Sequence, residues 1–163
     1  MVQISLVSKS KRGRELSLPL FIKGECKYME LKTLYDSRTS LVIIRNLEYN
    51  WNGYGANPIQ ETLVNRCWLI CTKLRIQPLI SPTARNSIQF EYELEDKSYL
   101  EFEIYRDKIT VLIVEKREYN KAIEFNLKAL DKDSIIKDMN LLINLFHAKK
   151  FDEIRRLVGD AKK

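Results

Sequence analysis

The chain has 163 residues, of which 45% are hydrophobic and 31% charged, with a formal net charge of +6. The apolar fraction exceeds that of disordered tails, and 5 Gly and 4 Pro are too few for collagen-like or low-complexity structure. No apolar run approaches the roughly 20 residues that span a bilayer. Three cysteines are too few, and of the wrong parity, for a secreted disulfide scaffold. We therefore expect a single cytoplasmic domain over 1–163 without a membrane partner.

Two short apolar runs, residues 2–7 and 16–22, predict an N-terminal hairpin within 1–26. Four cations lie on the loop between them: Lys9, Lys11, Arg12 and Arg14. Mobile cations gain affinity for phosphates by releasing counterions, so this loop is a candidate nucleic-acid-binding finger. The alternative is a solvated hairpin tip.

Residues 40–48 fit a helix and a strand equally well. A clear helix is predicted to start at Pro58, because Asn57 suits the N-cap and proline needs no N–H at the first helical position. An apolar stripe runs along this helix, and Pro78 ends it at residue 75 or 76.

From Ile88 onward the apolar period changes from about 3.6 to 2, which predicts an antiparallel meander of four strands. The run 109–115 is apolar on both faces and is the best candidate for a central strand, and 122–128 forms the last strand. Four glutamates point outward from the first two strands: Glu91, Glu93, Glu101 and Glu103. They form either a solvated face with Lys or Arg neighbours or a docking stripe for a basic partner.

The meander is followed by two helices over 132–159, the first capped by Asp133 or Ser134 and the second ended by Gly159. A sheet with one apolar face needs a cover. The sequence thus predicts a two-layer α+β fold. In it, an antiparallel meander of four or more strands is covered by two main helices, and the helix-meander core spans 45–128.

An unusual run precedes the first strong helix: Trp51-Asn52-Gly53-Tyr54-Gly55-Ala56-Asn57-Pro58-Ile59. It resembles the W-[DN]-G-Y-G-A-x-P-I segment of small, largely uncharacterised bacterial and phage proteins, in which a helix, a P-T turn and a β-meander follow. The turn is similar to residues 78–86 here, with Asn86 in place of Gly and, further on, Tyr92 in place of Trp. The resemblance covers about residues 45–115. It implies this architecture and a bacterial or phage origin, without catalytic residues.

Within this segment, Gly53 and Gly55 permit positive φ, while Asn57 and Pro58 lead into the helix. Two aromatic side chains complete it, Trp51 and Tyr54. The loop either fixes the angle at which the helix starts or presents a surface to a ligand or partner.

Catalytic and metal-binding constellations are weak. Cys67 and Cys71 lie one helical turn apart, and would need Cys26 and His147 to converge on them to form a zinc site. We interpret these cysteines as small buried hydrophobes. Three charged residues offer a remote possibility of metal-dependent nuclease chemistry: Asp107, Glu115 and Lys116. The sequence predicts no cofactor and no metal.

The net charge is unevenly distributed, since residues 87–128 carry −3 and the segments 1–49, 50–86 and 129–163 carry +4, +3 and +2. An acidic sheet beside basic flanks favours a protein partner over nucleic acid. The leading hypothesis is a non-enzymatic interaction module of the antitoxin, immunity or phage accessory type. It would dock through its sheet face or the loop 51–57. The alternatives are a nucleic-acid-binding accessory protein and, third, a small metal-dependent hydrolase or nuclease.

Overall fold

Five antiparallel strands form one sheet, in which each strand pairs with its neighbours in the sequence. The strands are β1 (Leu79–Thr83), β2 (Ser87–Glu93), β3 (Tyr99–Ile104), β4 (Ile109–Val114) and β5 (Ile123–Asn126). Four helices accompany them: α1 (Leu34–Arg45), α2 (Glu61–Cys71), α3 (Lys132–His147) and α4 (Phe151–Asp160). The predicted α+β class and the meander are confirmed, with one strand more than the periodicity defined.

The computed structural model describes residues 32–127 and 131–160. The chain divides into two units, Met1–Leu31 and Lys32–Lys163. The helices and strands named above all lie in the second unit. The predicted hairpin within 1–26 lies outside the described residues, and the single domain over 1–163 stays a prediction.

The periodicity misses β1 because Pro82 lies within it. Proline lacks an N–H and is tolerated in a strand only at an edge, which is the position of β1 in this sheet. The run 109–115 is predicted to be a central strand, and β4 does have a strand on each side. The middle strand of the five, however, is β3. The last strand is shorter than the predicted 122–128.

Helix α1 resolves the ambiguity of residues 40–48 in favour of a helix, up to Arg45. A capping box starts it. The Thr33 side chain accepts a hydrogen bond from the Asp36 N–H, and the Asp36 carboxylate accepts one from the Thr33 N–H at 2.7 Å. These bonds satisfy donors that the helix itself leaves unpaired and lower the pKa of Asp36.

The predicted start of the next helix at Pro58 is wrong by three residues, because α2 begins at Glu61 after an extended Gln60. The Asn57 carbonyl accepts a hydrogen bond from the indole of Trp51, so Asn57 closes the preceding loop instead of capping the helix. The predicted end at 75 or 76 is also wrong. The Gln77 side chain donates to the carbonyl of Cys71, the last residue of α2, and caps it there.

Asp131, and not the predicted Asp133 or Ser134, is the N-cap of α3. Its carboxylate accepts hydrogen bonds from the Ser134 N–H at 2.9 Å and from the Ser134 hydroxyl at 2.8 Å. Helix α4 runs through Gly159 and ends at Asp160, one residue beyond the predicted stop.

The helices cover one face of the sheet. The inner faces of β2, β3 and β4 contribute nine buried side chains to a single core: Ile88, Phe90, Tyr92, Leu100, Phe102, Ile104, Ile109, Val111 and Ile113. Residues of all four helices join this core, among them Leu41, Cys67, Met139 and Ile154. Alternation along each strand sends the remaining side chains to the other face of the sheet, here called the outer face.

Candidate functional site

The strand register places five residues side by side across the outer face. Leu79 pairs with Glu91, Glu91 with Glu101, Glu101 with Leu112 and Leu112 with Glu124. We call these five residues the central row. None of them belongs to the buried core cluster, and Leu79 is 50% exposed. The central row therefore combines apolar and acidic side chains on a rigid backbone.

Glu91 and Glu101 lie directly opposite each other on β2 and β3, and both are half-buried. The Tyr99 hydroxyl donates a hydrogen bond to Glu101 at 2.7 Å. Partial burial, with repulsion from Glu101 as a smaller cause, raises the pKa of Glu91. Among the residues that the structure describes, no cation forms a salt bridge with either carboxylate. Two like charges directly opposite each other on paired strands repel. A cation supplied from outside would therefore stabilise this pair of glutamates.

The other two predicted glutamates behave differently. Glu93 is exposed and forms a salt bridge with Lys97 at 2.7 Å, a contact that lowers its pKa. The prediction that Glu103 points to solvent is wrong, because its exposure is only 6%. Glu103 accepts a hydrogen bond from the Ser87 hydroxyl at 2.6 Å, and the Arg85 guanidinium lies 2.9 Å from its carboxylate.

The burial of Glu103 follows from its position opposite the tight turn between β1 and β2. Asn86 has φ +60° in that turn, a left-handed conformation that asparagine tolerates. The turn brings the Thr83 hydroxyl to 2.5 Å from that of Ser87, which in turn reaches Glu103. Alternation places Glu103 on the outer face but does not predict that a turn will cover it.

The segment Asn50–Asn57 is held together by its own polar groups. The Asn50 side chain accepts a hydrogen bond from the Gly55 N–H, and the Asn52 side chain accepts one each from the Tyr54 and Ala56 N–H groups. The Asn50 N–H donates to the carbonyl of Ala56 at 2.8 Å. The predicted positive φ is confirmed at both glycines, with +76° at Gly53 and +82° at Gly55.

The two aromatic residues of this loop have opposite environments. Trp51 is half-buried and its indole N–H donates to the Asn57 carbonyl at 3.1 Å, which closes the loop. Tyr54 is 93% exposed at the tip, so its side chain does not anchor the loop. Pro58 is exposed before the helix starts. The loop's hydrogen bonds stay within residues 50–57, and the described contacts do not join Tyr54 to the acidic glutamates.

Sequence reasoning missed a group of cations at one end of the sheet. The turn 84–86 and the turn 105–108 are neighbours there, because Ile88 pairs with Ile104. They carry three exposed cations, and α2 contributes a fourth to this basic end: Arg85, Arg106, Lys108 and Arg66. The missed signal is that turns 20 residues apart in sequence become adjacent only through the strand register.

The predicted burial of the cysteines on α2 is confirmed, since Cys67 and Cys71 both have 0% exposure. Burial raises the pKa of both thiols, that of Cys71 to about 12, which keeps them protonated. His147, at the end of α3, packs edge-on against Tyr92 and Phe146, and burial lowers its pKa. These cysteines and the histidine therefore contribute to packing, while Cys26 lies outside the described residues.

Glu115, considered above for metal-dependent nuclease chemistry, forms a salt bridge with Arg155 of α4 at 2.6 Å. Within residues 32–127 and 131–160, no group of three or more His, Cys, Asp or Glu side chains could hold a metal ion. The candidate nucleic-acid finger, with Lys9, Lys11, Arg12 and Arg14, falls outside the described residues, so its role stays a prediction.

No family model, curated protein or solved structure matches this chain. Among the described helices, none combines the length and apolar character needed to cross a membrane. The candidate sites are therefore defined by their own geometry, namely the central row, the loop with Tyr54 at its tip and the basic end.

Proposed function

We propose that this protein is a non-enzymatic interaction module that docks a basic protein through the outer face of its sheet. The observation that carries the proposal is the central row, where Glu91 and Glu101 face each other without a paired cation among the described residues. A lysine or arginine from a partner would neutralise this repulsion and replace water around two half-buried carboxylates.

The apolar members of the central row support the same proposal. Leu79 and Leu112 flank the acidic pair on either side, and the half-buried Tyr99 hydrogen-bonds to it. Interfaces combine an apolar or aromatic centre with charged groups that select the partner. Because the five strands hold these side chains in register, little conformational entropy would be lost when a partner binds.

The biological class that we propose is an antitoxin, immunity protein or phage accessory factor, located in the cytoplasm. The resemblance of residues 45–115 to small bacterial and phage proteins implies a bacterial or phage origin, in which proteins of this class occur. The small number of cysteines supports a reducing compartment. Identification of the neighbouring genes is the direct check, because a gene for a basic toxin or nuclease next to this one would supply the expected partner.

The test combines charge reversal with site-specific cross-linking in the full-length protein. The double variant Glu91→Lys/Glu101→Lys should lose a basic partner that the wild-type protein captures. A matched control is Glu48→Lys/Glu95→Lys, because these glutamates are exposed, form no salt bridge among the described residues and lie outside the central row. The control should retain the partner.

A photoreactive amino acid at Leu79 should cross-link to the partner, and the same group at Leu157 of α4 should not. The two leucines are matched controls because their exposures are 50% and 47%. If the photoreactive group cross-links the partner from position 54 and not from position 79, the docking site is the loop and not the sheet. Equal capture by both charge-reversal variants would refute the proposal.

A further inference from the structure

The cations at the basic end of the sheet come from two adjacent turns and one helix, and most of them have no salt bridge among the described residues. At the opposite end, Asp96 pairs with Lys149, Glu115 with Arg155 and Glu118 with Lys121. At the basic end, Arg85 is the one cation with a described salt bridge, and its partner is the buried Glu103. Within the described residues, three cations there have none: Arg66, Arg106 and Lys108.

Contacts within the fold position the side chains of Arg66, Lys108 and Arg85. Arg66 of α2 donates hydrogen bonds from one nitrogen to the carbonyls of Tyr105 at 2.6 Å and Arg106 at 2.7 Å, which fixes the turn between β3 and β4 against the helix. The Lys108 ammonium lies 4.7 Å from the centre of the Tyr105 ring. Arg85 is anchored through Glu103, although its side chain is 66% exposed. Lys108 and Arg85 are therefore oriented by these contacts, and Arg106 is exposed on the same turn as Lys108.

From this arrangement we propose that the basic end binds the phosphodiester backbone of a nucleic acid. Arginines predominate, and the planar guanidinium matches the geometry of phosphate oxygens better than an ammonium does. The three exposed cations lie on two adjacent turns, which suits a polyanion with repeated charges. One exposed carboxylate, Asp107, lies among them, so the balance of exposed charges on these turns is positive. This site is separate from the predicted finger at residues 9–14 and from the central row.

The test measures binding of a fluorescent single-stranded RNA and of a DNA duplex, each about 20 units long, to the full-length protein at several salt concentrations. The double variant Arg106→Glu/Lys108→Glu should weaken binding by about tenfold or more at low salt. It should also reduce the slope of log Kd against log salt by about two. Arg85 is left unchanged because its removal would leave the buried Glu103 without its salt bridge and destabilise the fold.

The matched control is Arg38→Glu/Lys137→Glu, which makes the same charge change at exposed cations of α1 and α3. It should lower affinity much less than the variant of the basic end. Equal losses in both variants would mean that only net charge matters and would overturn the proposal. Unchanged binding by Arg106→Glu/Lys108→Glu would also overturn it. So would binding that depends only on Lys9, Lys11, Arg12 and Arg14 in a quadruple alanine variant.

A competition assay separates nucleic acid from other anions. Unlabelled RNA or DNA should displace the probe, whereas inorganic phosphate or a phosphoserine peptide at the same phosphate concentration should not. Stronger displacement by the phosphopeptide would overturn the assignment to nucleic acid. Thermal unfolding of each variant checks that the substitutions leave the fold intact.

Discussion

Glu103 and Glu101 are two residues apart on the same face of β3, yet the protein uses them in different ways. Glu103 is buried against the turn between β1 and β2, where Ser87 and Arg85 satisfy its carboxylate. Glu101 is half-buried opposite Glu91 and receives a neutral hydrogen bond from Tyr99. A periodic stripe of acids on a strand is therefore not one surface. One carboxylate has its partners within the fold, and the next has no salt bridge among the described residues.

The loop Asn50–Asn57 shows the same division between neighbouring residues. Trp51 and the two asparagine side chains close the loop, whereas Tyr54 at its tip is 93% exposed. Loop and sheet thus each contain groups committed to the fold and groups without such a role. Stability measurements distinguish the two kinds of group, because substitution of a committed group must cost folding free energy.

The largest effect is expected at Glu103. Glu103→Ala should lower the free energy of unfolding by about 2 to 3 kcal/mol, because a packed carboxylate is lost and Ser87 and Arg85 lose their partner. Glu101→Ala, on the same strand and face, should cost no more than about 0.5 kcal/mol, because repulsion from Glu91 is relieved. Urea denaturation measures both. Equal losses would break the distinction between these two acids.

A somewhat smaller effect is expected at Gly55. Its φ of +82° is strained for any residue with a side chain and most of all for a β-branched one, so Gly55→Val should cost about 2 kcal/mol. Tyr54→Ala should change stability by less than about 0.5 kcal/mol, because the side chain is almost fully exposed. A normal melting temperature for Gly55→Val together with lost partner binding would mean that the glycine serves recognition and not the fold.

Asp96 extends the comparison to the turn between β2 and β3. The Lys149 ammonium, 2.8 Å from its carboxylate, lowers the pKa of Asp96 from 3.8 to about 2. A depressed pKa contributes stability above the unfolded-state value, and this contribution is lost as the pH falls toward 2. Asp96→Asn should therefore be less stable than the wild-type protein by about 1 kcal/mol at pH 6. The difference should disappear near pH 2, and a difference that persists there would show that charge is not the cause.

The smallest effect, with the opposite sign, is expected at Glu91. Partial burial and Glu101 raise its pKa above 4.5, so its contribution to stability is present below that pH and decreases as the pH rises through the folded-state pKa. Relative to the wild-type protein, Glu91→Gln should gain about 0.5 kcal/mol between pH 4 and pH 7. A binding partner that supplies a cation should reverse this gain. A relative loss over the same range would show that Glu91 already has a stabilising cation.

Much of the architecture could be predicted because it depends on local periodicity. The pattern from Ile88 onward located four of the five strands of the sheet, and the apolar stripes located α2 and α3. Helix ends were less predictable. Asn57 and Asp133 have the right chemistry for caps, but a tertiary contact or a better-placed neighbour, Asp131, decides which residue caps the helix.

The candidate sites could be predicted only in part. The acidic stripe follows from the alternation along two neighbouring strands, whereas the environment of each glutamate and the exposure of Tyr54 do not. Glu103 is buried by a turn that starts 20 residues earlier, at Thr83, and the basic end joins Arg66, Arg85 and Arg106 from three separate elements. Contacts of this kind leave no local signature.

By itself the sequence determined a two-layer α+β fold with an acidic sheet, because hydrophobic burial imposes a period of 2 on strands and 3.6 on helices. Only the tertiary structure decided which carboxylates have hydrogen-bond or salt-bridge partners and which cations lie next to each other. The pairing of charges depends on distances of a few ångströms between side chains that are remote in the chain. Strand register and turn position set those distances, and a two-residue shift in register would place Glu101, instead of Glu103, beside the turn that buries it.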